Sequence, residues 1–339
     1  METKLFDLKV PPELIAQVPL EPRDHSKLFV INRREERTYH GNYFYDLPLF
    51  LKKGDVLVFN DSRVIPARLK GHKEDSPMEE VVILLLREEE KNIWVALVEV
   101  GTLKTKDMVV LTPPELRFQV LGVGDRIGKR QEHLVTVSFS NESLLEKAGQ
   151  PPVPPYIHNY TGDPEKYQTV YSKIKGSAAC PTAGLHFTNR LLDELQERGV
   201  IFAFITLHVG IDTFMPILED QVEKHKIYTE YCEVLKEVCK IIKEAKSRHN
   251  KVVCVGTTVV RALETSEGKP YSGWTSKYIY PGYNFKIVDQ LITNFHYPKS
   301  SNLVLVCAFA GTQLIKDAYE RAIQLRYRFY SFGDSCLII

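Results

Sequence analysis

The chain has 339 residues, of which 44% are hydrophobic and 26% are charged, the balance of an ordinary globular protein. Lysine and arginine number 44 against 43 aspartates and glutamates, so the formal net charge of +1 excludes an overall field for binding nucleic acid or a membrane. Any basic surface must be local.

The amino-terminal segment METKLFDLKVPPELIAQVP carries acidic residues and prolines where a signal peptide would be basic and then apolar. No run approaches the roughly 18 apolar residues that cross a bilayer. We therefore expect a cytoplasmic protein. The six cysteines form no C-x-x-C pair, and several lie in apolar runs, which predicts free thiols and no metal cluster.

Residues 64–150 have the pattern of a small antiparallel barrel. Short runs of β-branched and aromatic residues, such as VVILLLREEE and NIWVALVEV, recur about every 8 to 12 residues with charged, glycine or proline turns between them. The helical pattern SLLEKAG and the stiff connector PPVPPY follow.

The period of the pattern changes after this connector. TNRLLDELQERG predicts a helix capped by Thr188 and stopped by Gly199, and VIFAFITL predicts a buried strand. EVLKEVCKIIKEAKSRH and KVVCVG predict another helix and strand, SSNLVLVCAFAG a third strand, and TQLIKDAYERAIQLRY a late helix. The predicted fold class is α/β: a larger mixed α/β domain, residues 1–63 plus 151–339, interrupted by a small antiparallel β-barrel insertion, residues 64–150.

Polar and glycine residues interrupt these patterns in four segments, and such conflicts tend to mark functional sites. The first is KGSAACPTAGLHFT, whose small residues let the backbone approach a ligand and which leads into a helix N-terminus beside His186. A tight structural turn with a packed histidine is the alternative. The second is TLHVGIDTF, which places His208, Gly210 and Thr213 at the carboxyl end of a buried strand, where ligands of open α/β sheets bind.

The third segment, VVCVGTTVVRALE, joins a buried strand to a helix through Gly256, Thr257 and Thr258. The threonines either cap the helix or present hydroxyl and N–H groups to an anion, and Arg261 would hold a carboxylate or phosphate through two bonds. The fourth runs from YIYPGYNFKIVD to LITNFHYPKSS and combines aromatic faces with amide and imidazole edges, as nucleobase binding requires. The histidine spacings do not favour a metal site.

The motifs PPELIAQVPLEPRDHSKL, KKGDVLVFNDSRVIPARL, GSAACPTAGLHFT, LHVGIDTF, VGTTVVRALE, IYPGYNFKIVDQLITNFHYPKSS and RYRFYSFGD occur in order along nearly the whole chain. Together they resemble the S-adenosylmethionine:tRNA ribosyltransferase-isomerase family of queuosine biosynthesis. The resemblance implies a monomeric cytoplasmic enzyme with an interrupted α/β domain. It also implies transfer of the ribosyl part of S-adenosylmethionine onto 7-aminomethyl-7-deazaguanine at the tRNA wobble position, giving epoxyqueuosine tRNA, adenine and methionine, without a metal.

This implied reaction needs a base at the acidic 5′ carbon beside the sulfonium, an acid for departing adenine, and a neutral attacking amine. Histidines and carboxylates suit these transfers, although the resemblance does not assign the roles. The catalytic candidates are His186, His208, His225, Glu230, His296 and Asp334. The candidates for binding substrate are Thr182, Gly184, Phe187, Gly210, Thr213, Gly256, Thr257, Thr258, Arg261, Tyr280 and Asn294.

More specific expectations follow for the two substrates. Tyr280 or Phe187 would lie against the sulfonium, and Thr257, Thr258 and Arg261 would hold the methionine carboxylate. The candidates for local tRNA contact are Lys236, Lys240, Lys243, Lys246, Arg248, Arg321, Arg326 and Arg328.

The chain departs from the family pattern at several positions. Tyr228 stands where a second histidine is usual, Asp212 where glycine is usual, Cys180 where alanine is usual, and Glu99 begins EVG in place of Arg-Pro-Gly. The Tyr228 departure keeps open a catalytically impaired tRNA-binding homologue. A thiol-dependent acyl transferase built on Cys180 is a third hypothesis.

Overall fold

The computed structural model describes residues 1–111, 116–127, 132–141, 145–158, 162–210 and 215–339. The chain divides into two compact units. The larger comprises Met1–Ser62, Pro154–Ile174 and Pro181–Ile339, and the smaller comprises Arg63–Val153 and Lys175–Cys180. The smaller unit therefore includes the short segment Lys175–Cys180 in addition to its main stretch of chain. The sequence-based domain bounds, 1–63 plus 151–339 and 64–150, stay a prediction.

The described residues form strands in both units. In chain order they are β1 (Lys27–Asn32), β2 (Arg37–Tyr43), β3 (Val56–Asn60), β4 (Ser62–Val64), β5 (Arg68–Lys73), β6 (Glu80–Glu90), β7 (Ile93–Val100), β8 (Met108–Leu111), β9 (Arg117–Ile127), β10 (Glu132–Phe139), β11 (Ile174–Ser177), β12 (Ile201–Leu207), β13 (Glu230–Val234), β14 (Val252–Val255), β15 (Tyr271–Thr275), β16 (Gln290–Asn294) and β17 (Ser335–Ile338).

The helices lie mostly after the barrel segment. They are α1 (Leu145–Ala148), α2 (Asn189–Glu197), α3 (Lys236–Ser247), α4 (Thr257–Ser266), α5 (Ser301–Ala310) and α6 (Thr312–Gln324). No helix formed by the described residues has both the length and the apolar character needed to cross a membrane.

The smaller unit contains a closed antiparallel barrel in the order β10, β7, β6, β5, β8, β9. This confirms the predicted barrel, although β5 lies outside the runs that suggested it. Buried and partly exposed residues alternate along β8, as expected where one strand face packs on a core. Gly71 permits the close approach of β5 and β8, because a Cβ atom there would lie 2.3 Å from the Val110 carbonyl oxygen.

The larger unit is built on a mixed sheet that contains, within the described residues, nine strands in the order β15, β13, β12, β3, β14, β16, β17, β1, β2. The neighbours β12, β3, β14 and β16 run parallel. Every residue of β3 and β14 is buried. This is expected for central parallel strands whose two faces are both covered, and it explains their continuous apolar sequences. The mixed α/β fold with a barrel insertion is therefore confirmed.

Chain direction brings the polar ends of these strands to one edge, which we call the carboxyl edge. The four parallel strands end there. The antiparallel strands β13 and β17 begin there, because Glu230 pairs with Thr275 at the end of β15 and Ser335 pairs with Asn294 at the end of β16. Strand β1 also begins there, since Leu28 pairs with Ser335. The edge therefore collects Lys27, Asn60, Leu207, Glu230, Val255, Thr275, Asn294 and Ser335.

One predicted strand is wrong. SSNLVLVCAFAG forms helix α5, which begins after Ser300, whose side chain accepts a hydrogen bond from the Leu303 amide at 3.1 Å. Helix α5 is buried on nearly all sides and therefore lacks a polar stripe. A short apolar run of this kind cannot be distinguished from a buried strand by its period.

Two helix predictions have different outcomes. Helix α2 has the predicted cap, because the Thr188 hydroxyl accepts from the Leu191 amide at 3.2 Å. The helix predicted over 233–249 begins only at Lys236, since Glu230–Val234 forms β13 between β12 and β15. The free-thiol prediction is confirmed, because all six cysteines are buried and unbridged.

Candidate functional site

Six of the candidate residues form two polar clusters at the carboxyl edge, both within the larger unit. The His186 cluster comprises Ser26, Thr182, His186, Asn294 and the Tyr330 carbonyl. The Arg261 cluster comprises Gly210, Glu230, Arg261 and the Lys277 carbonyl. Four strand spacings of about 4.8 Å, or roughly 19 Å, separate the strands that supply Glu230 and Asn294.

His186 ends the 3-10 turn Thr182–His186, and its buried ring is held at both nitrogens. Nδ1 lies 2.8 Å from Ser26 Oγ, and Nε2 lies 3.1 Å from Asn294 Nδ2. Thr182 donates its hydroxyl to Asn294 Oδ1 at 3.2 Å, and Asn294 Nδ2 also lies 3.2 Å from the Tyr330 carbonyl oxygen. The structure thus joins Thr182 and His186 of the first segment to Asn294 of the fourth.

A small pocket opens beside His186. Its lining combines apolar side chains with a few polar groups: Pro19, Leu20, Arg23, Ser26, Leu185, His186, Ser331, Phe332 and Gly333. Burial, with the nearby charges of Arg328 and Arg23, lowers the pKa of His186 to about 3. The ring is therefore neutral at neutral pH.

The Arg261 cluster is built around a buried ion pair. Arg261 donates from Nη1 to Glu230 Oε2 and from Nε to the Lys277 carbonyl at 3.1 Å. The other Glu230 oxygen accepts from the Gly210 amide at 2.7 Å. Glu230 and Arg261 side chains are only 2% and 7% exposed, so water screens the pair little. Arg261 Nη2 is buried without a hydrogen-bond partner among the described residues.

Gly256 connects β14 to α4 with a positive φ of 97° and serves as the N-cap, without a side-chain capping bond. Thr257 instead donates its hydroxyl to Asn302 Oδ1 at 2.9 Å, and Thr258 Oγ1 accepts from Asn60 Nδ2 at 3.4 Å. Because neither threonine caps α4 through its side chain, the capping interpretation is wrong. The N-terminal amides of α4 remain suited to an anion.

His208 and His225 are close in sequence to Gly210 and Glu230 of the Arg261 cluster, but their side chains do not form hydrogen bonds with it. His208 is partly exposed and packs parallel to Tyr231 at 6.0 Å between ring centroids. Its buried Nδ1 has no hydrogen-bond partner among the described residues, and burial lowers its pKa. His225 Nδ1 lies 3.0 Å from Glu219 Oε2, with the ring edge against Tyr278. Tyr278 in turn contacts the partly exposed Tyr280.

Two catalytic candidates, Asp334 and His296, form hydrogen bonds that hold neighbouring segments of the chain, and they do not bond to one another. The Asp334 carboxylate accepts from the Lys27 and Arg328 amides at 2.9 and 2.8 Å, and so joins the start of β1 to the 328–334 turn. Its partners include no histidine among the described residues. His296 Nε2 lies 2.6 Å from Thr293 Oγ1, and the His296 amide donates to the Tyr319 hydroxyl.

The structure assigns two predicted binding residues to the core. Phe187 is fully buried, with ring contacts to Phe44 and Phe59, and presents no face to a ligand. Gly184 lies so close to Tyr171 that a Cβ atom would be 1.9 Å from the phenol oxygen. Thr213 and Asp212 lie outside the described residues.

Two residues in the site carried no functional expectation. Ser26 contacts His186, and Asn60 binds both the amide and the carbonyl of Leu207 through its side chain. Both lie in motifs that support the resemblance, PRDHS and VFNDS. Their separation from their partners, 160 and 147 residues, left no local signal. The described residues also contain no group of three histidine, cysteine, aspartate or glutamate side chains that could hold a metal.

The buried histidines predict how stability depends on pH. Burial lowers the pKa of His186 and of His296 from 6.5 to about 3. Below pH 6.5 the unfolded chain binds protons at these rings and the folded chain does not, so stability is lost as the pH falls toward 3. Near pH 5 each ring is expected to contribute a loss of about 1.4 kcal/mol per pH unit.

Urea unfolding between pH 7 and pH 4.5 measures this effect. Replacing His296 by glutamine should reduce the pH dependence of the free energy of unfolding by one ring's contribution. The exposed His249, replaced in the same way, serves as the control and should leave the slope unchanged. Equal slopes for wild type and the His296→Gln variant would contradict the assignment of a neutral buried ring.

Comparisons with known proteins identify the family of this chain. The family described as queuosine biosynthesis protein matches residues 3–338. Proteins named S-adenosylmethionine:tRNA ribosyltransferase-isomerase are 46% identical in Moorella thermoacetica and 44% identical in Dehalococcoides mccartyi, each over the whole of both chains. A crystal structure of S-adenosylmethionine tRNA ribosyltransferase from Thermotoga maritima is similar, with a TM-score of 0.56, 36% identity, and coverage of 99% of this chain and 100% of that chain.

Proposed function

Since the chain belongs to the queuosine biosynthesis family of S-adenosylmethionine:tRNA ribosyltransferase-isomerases, we propose that it catalyses the reaction for which that family is named. The ribosyl moiety of S-adenosylmethionine is transferred and isomerised onto 7-aminomethyl-7-deazaguanine at the tRNA wobble position. The products are epoxyqueuosine tRNA, adenine and methionine. The observation that carries this proposal is the end-to-end match at 44% and 46% identity.

His208 is the best-suited proton acceptor among the four candidate histidines. A base must take the proton from the 5′ carbon beside the sulfonium, and it must be neutral and unbonded to do so. His208 combines partial exposure with a lowered pKa, and its side chain makes no hydrogen bond among the described residues. His186 and His296 are held by hydrogen bonds, and His225 lies against Glu219.

The methionine carboxylate fits the Arg261 cluster. Arg261 has one buried nitrogen still without a partner, and the first turn of α4 offers backbone amides at Thr257 and Thr258. Glu230 accepts from the guanidinium, and the Gly210 amide donates to the other oxygen of the same carboxylate. Tyr280 remains the aromatic candidate for the sulfonium, a contact worth about 0.5–2 kcal/mol.

For tRNA contact, the structure favours the basic residues at the carboxyl edge over those at the end of helix α3. The Lys251 amide and Asn250 side chain bond to Asp55, which precedes β3, so the end of α3 with Lys246 and Arg248 lies at the opposite edge. By contrast, Lys27 Nζ lies 3.4 Å from the Arg326 carbonyl beside the His186 cluster. We therefore assign the anticodon loop to the side of Lys27, Arg326 and Arg328. A wobble base in that loop is unpaired and costs little to extract.

The proposal includes the finer expectations from the sequence. The protein acts as a monomer in the cytoplasm, binds RNA, and needs S-adenosylmethionine as ribosyl donor without a metal. Its catalytic domain comprises residues 1–63 plus 151–339, and the barrel domain is residues 64–150.

Adenine release is the experiment that tests this function. The protein is incubated with S-adenosylmethionine and tRNA carrying the precursor base, and free adenine is measured by chromatography. Release that depends on the precursor tRNA supports the proposal. Tight binding of both substrates without release would instead support the impaired homologue suggested by Tyr228.

The acyl-transferase hypothesis is disfavoured because Cys180 is only 3% exposed. Full activity of the Cys180→Ser variant would exclude this hypothesis.

A further inference from the structure

A chain of hydrogen bonds runs from Tyr330 toward the pocket beside His186. A backbone carbonyl only accepts, so the Asn294 atom 3.2 Å from the Tyr330 oxygen is the amide nitrogen. The same nitrogen lies 3.1 Å from His186 Nε2, and the Thr182 hydroxyl donates to the amide oxygen. The Asn294 amide therefore has a single orientation, in which it donates to His186.

This orientation fixes the proton on His186. A ring nitrogen that accepts a hydrogen bond carries no proton, so the neutral ring carries its proton on Nδ1. Nδ1 then donates to Ser26 Oγ at 2.8 Å. The Ser26 oxygen accepts from His186, and its own hydrogen is left for another acceptor.

The pocket supplies the place for that acceptor. Ser26 and His186 line it together with Leu20, Leu185 and Phe332, which give apolar walls. The pocket has room for little more than one water-sized group, so it can admit the edge of a base and not a whole ring system. We propose that Ser26 donates its hydroxyl hydrogen to an acceptor atom at the edge of a purine-type base that lies over the mouth of this pocket, and that His186 and Asn294 are positioning residues that set the direction of this bond.

The inference rests on the proposed function, which brings two such bases to the protein, adenine from S-adenosylmethionine and the 7-deazaguanine of tRNA. It also separates the roles of two histidines. Proton uptake at Nε2 of His186 would require breaking the Asn294 bond, so His186 orients a donor, whereas no side-chain hydrogen bond among the described residues holds the His208 ring.

Imidazole 15N spectra test the hydrogen-bond direction without depending on turnover. The full chain is labelled with 15N-histidine, and the His186 signals are assigned by their loss in His186→Gln. The expected spectrum shows a protonated Nδ1 and an unprotonated Nε2. In Asn294→Asp the new carboxylate should draw the proton to Nε2. A protonated Nε2 in the wild-type protein would overturn the proposal.

Adenine-release kinetics test the contact with the base. Ser26→Ala should lower kcat/KM about tenfold, the loss of one oriented hydrogen bond, and Ser26→Thr should restore most of it. Ser335→Ala removes another buried hydroxyl at the same edge and should have little effect. A KM increase confined to S-adenosylmethionine identifies adenine as the base, and one confined to tRNA identifies the wobble base. Unchanged kcat and KM values in Ser26→Ala would overturn the contact.

The two tests also separate this inference from the function. Absence of adenine release by the wild-type protein counts against the proposed function, whereas the 15N spectrum still decides the direction of the hydrogen bonds. If the wild-type protein releases adenine and Ser26→Ala has the same kcat and KM values, the result counts against this inference and not against the proposed function.

Discussion

Replacement of Glu230 by alanine is expected to lower the free energy of unfolding by about 3–5 kcal/mol. The change leaves the Arg261 guanidinium buried without its counter-charge and the Gly210 amide without its acceptor. Urea unfolding at pH 7 measures the effect. Glu244→Ala is the matched control, because its 3.9 Å pair with Lys240 is largely exposed and should contribute less than about 0.5 kcal/mol.

A double variant separates stability from function at this pair. Glu230→Gln combined with Arg261→Met removes both charges and keeps an acceptor for the Gly210 amide. We expect most of the stability to return, since a buried ion pair contributes little beyond an apolar replacement of similar volume. Adenine release should nevertheless be lost in this double variant, because Arg261→Met removes the guanidinium that would bind the methionine carboxylate. Recovery of both stability and activity would show that the pair is only structural.

Replacement of His208 by glutamine is expected to lower kcat for adenine release by about 10²–10⁴-fold, the usual contribution of a positioned base. Glutamine keeps hydrogen-bonding capacity but cannot take up a proton. Binding of S-adenosylmethionine, measured by calorimetry, should change little. His249→Gln provides the control, since His249 is exposed next to Asn250, at the opposite edge of the sheet.

The pH dependence of kcat adds a second measurement on the same residue. Burial lowers the pKa of His208 below 6.5, so its basic form is already present at pH 7 and single-turnover rates should fall only under more acidic conditions. An acid limb that is lost in His208→Gln supports the assignment. Wild-type rates in that variant would exclude His208 as the base.

Local patterns predicted much of the fold. The barrel, the cap of α2 at Thr188, the strand β12 and the buried strand β14 were all evident from period and turn residues. Helix α5 was not, because a helix buried on all sides has the same composition as a buried strand. The start of α3 was also misplaced, since pairing of Glu230–Val234 with two neighbouring strands overrides helical propensity.

The candidate site shows a similar division. Thr182, His186 and Asn294 stand out in the sequence as polar residues in unusual segments, and they meet because the 3-10 turn Thr182–His186 contacts the residue that ends β16. Ser26 gives no such signal, because a contact across 160 residues depends on tertiary structure. The sequence also does not distinguish the histidines from one another. Only burial and hydrogen bonding distinguish the fully bonded ring of His186 from that of His208.

The central claim is that the two substrates meet along the carboxyl edge of the large sheet. A crystal structure of the protein with S-adenosylmethionine and an anticodon stem-loop carrying the precursor base measures this directly. We expect the methionine carboxylate at Arg261, His208 near the 5′ carbon, and a purine-type base within hydrogen-bond distance of Ser26. Density for either substrate on the barrel or at the opposite edge of the sheet would contradict the account.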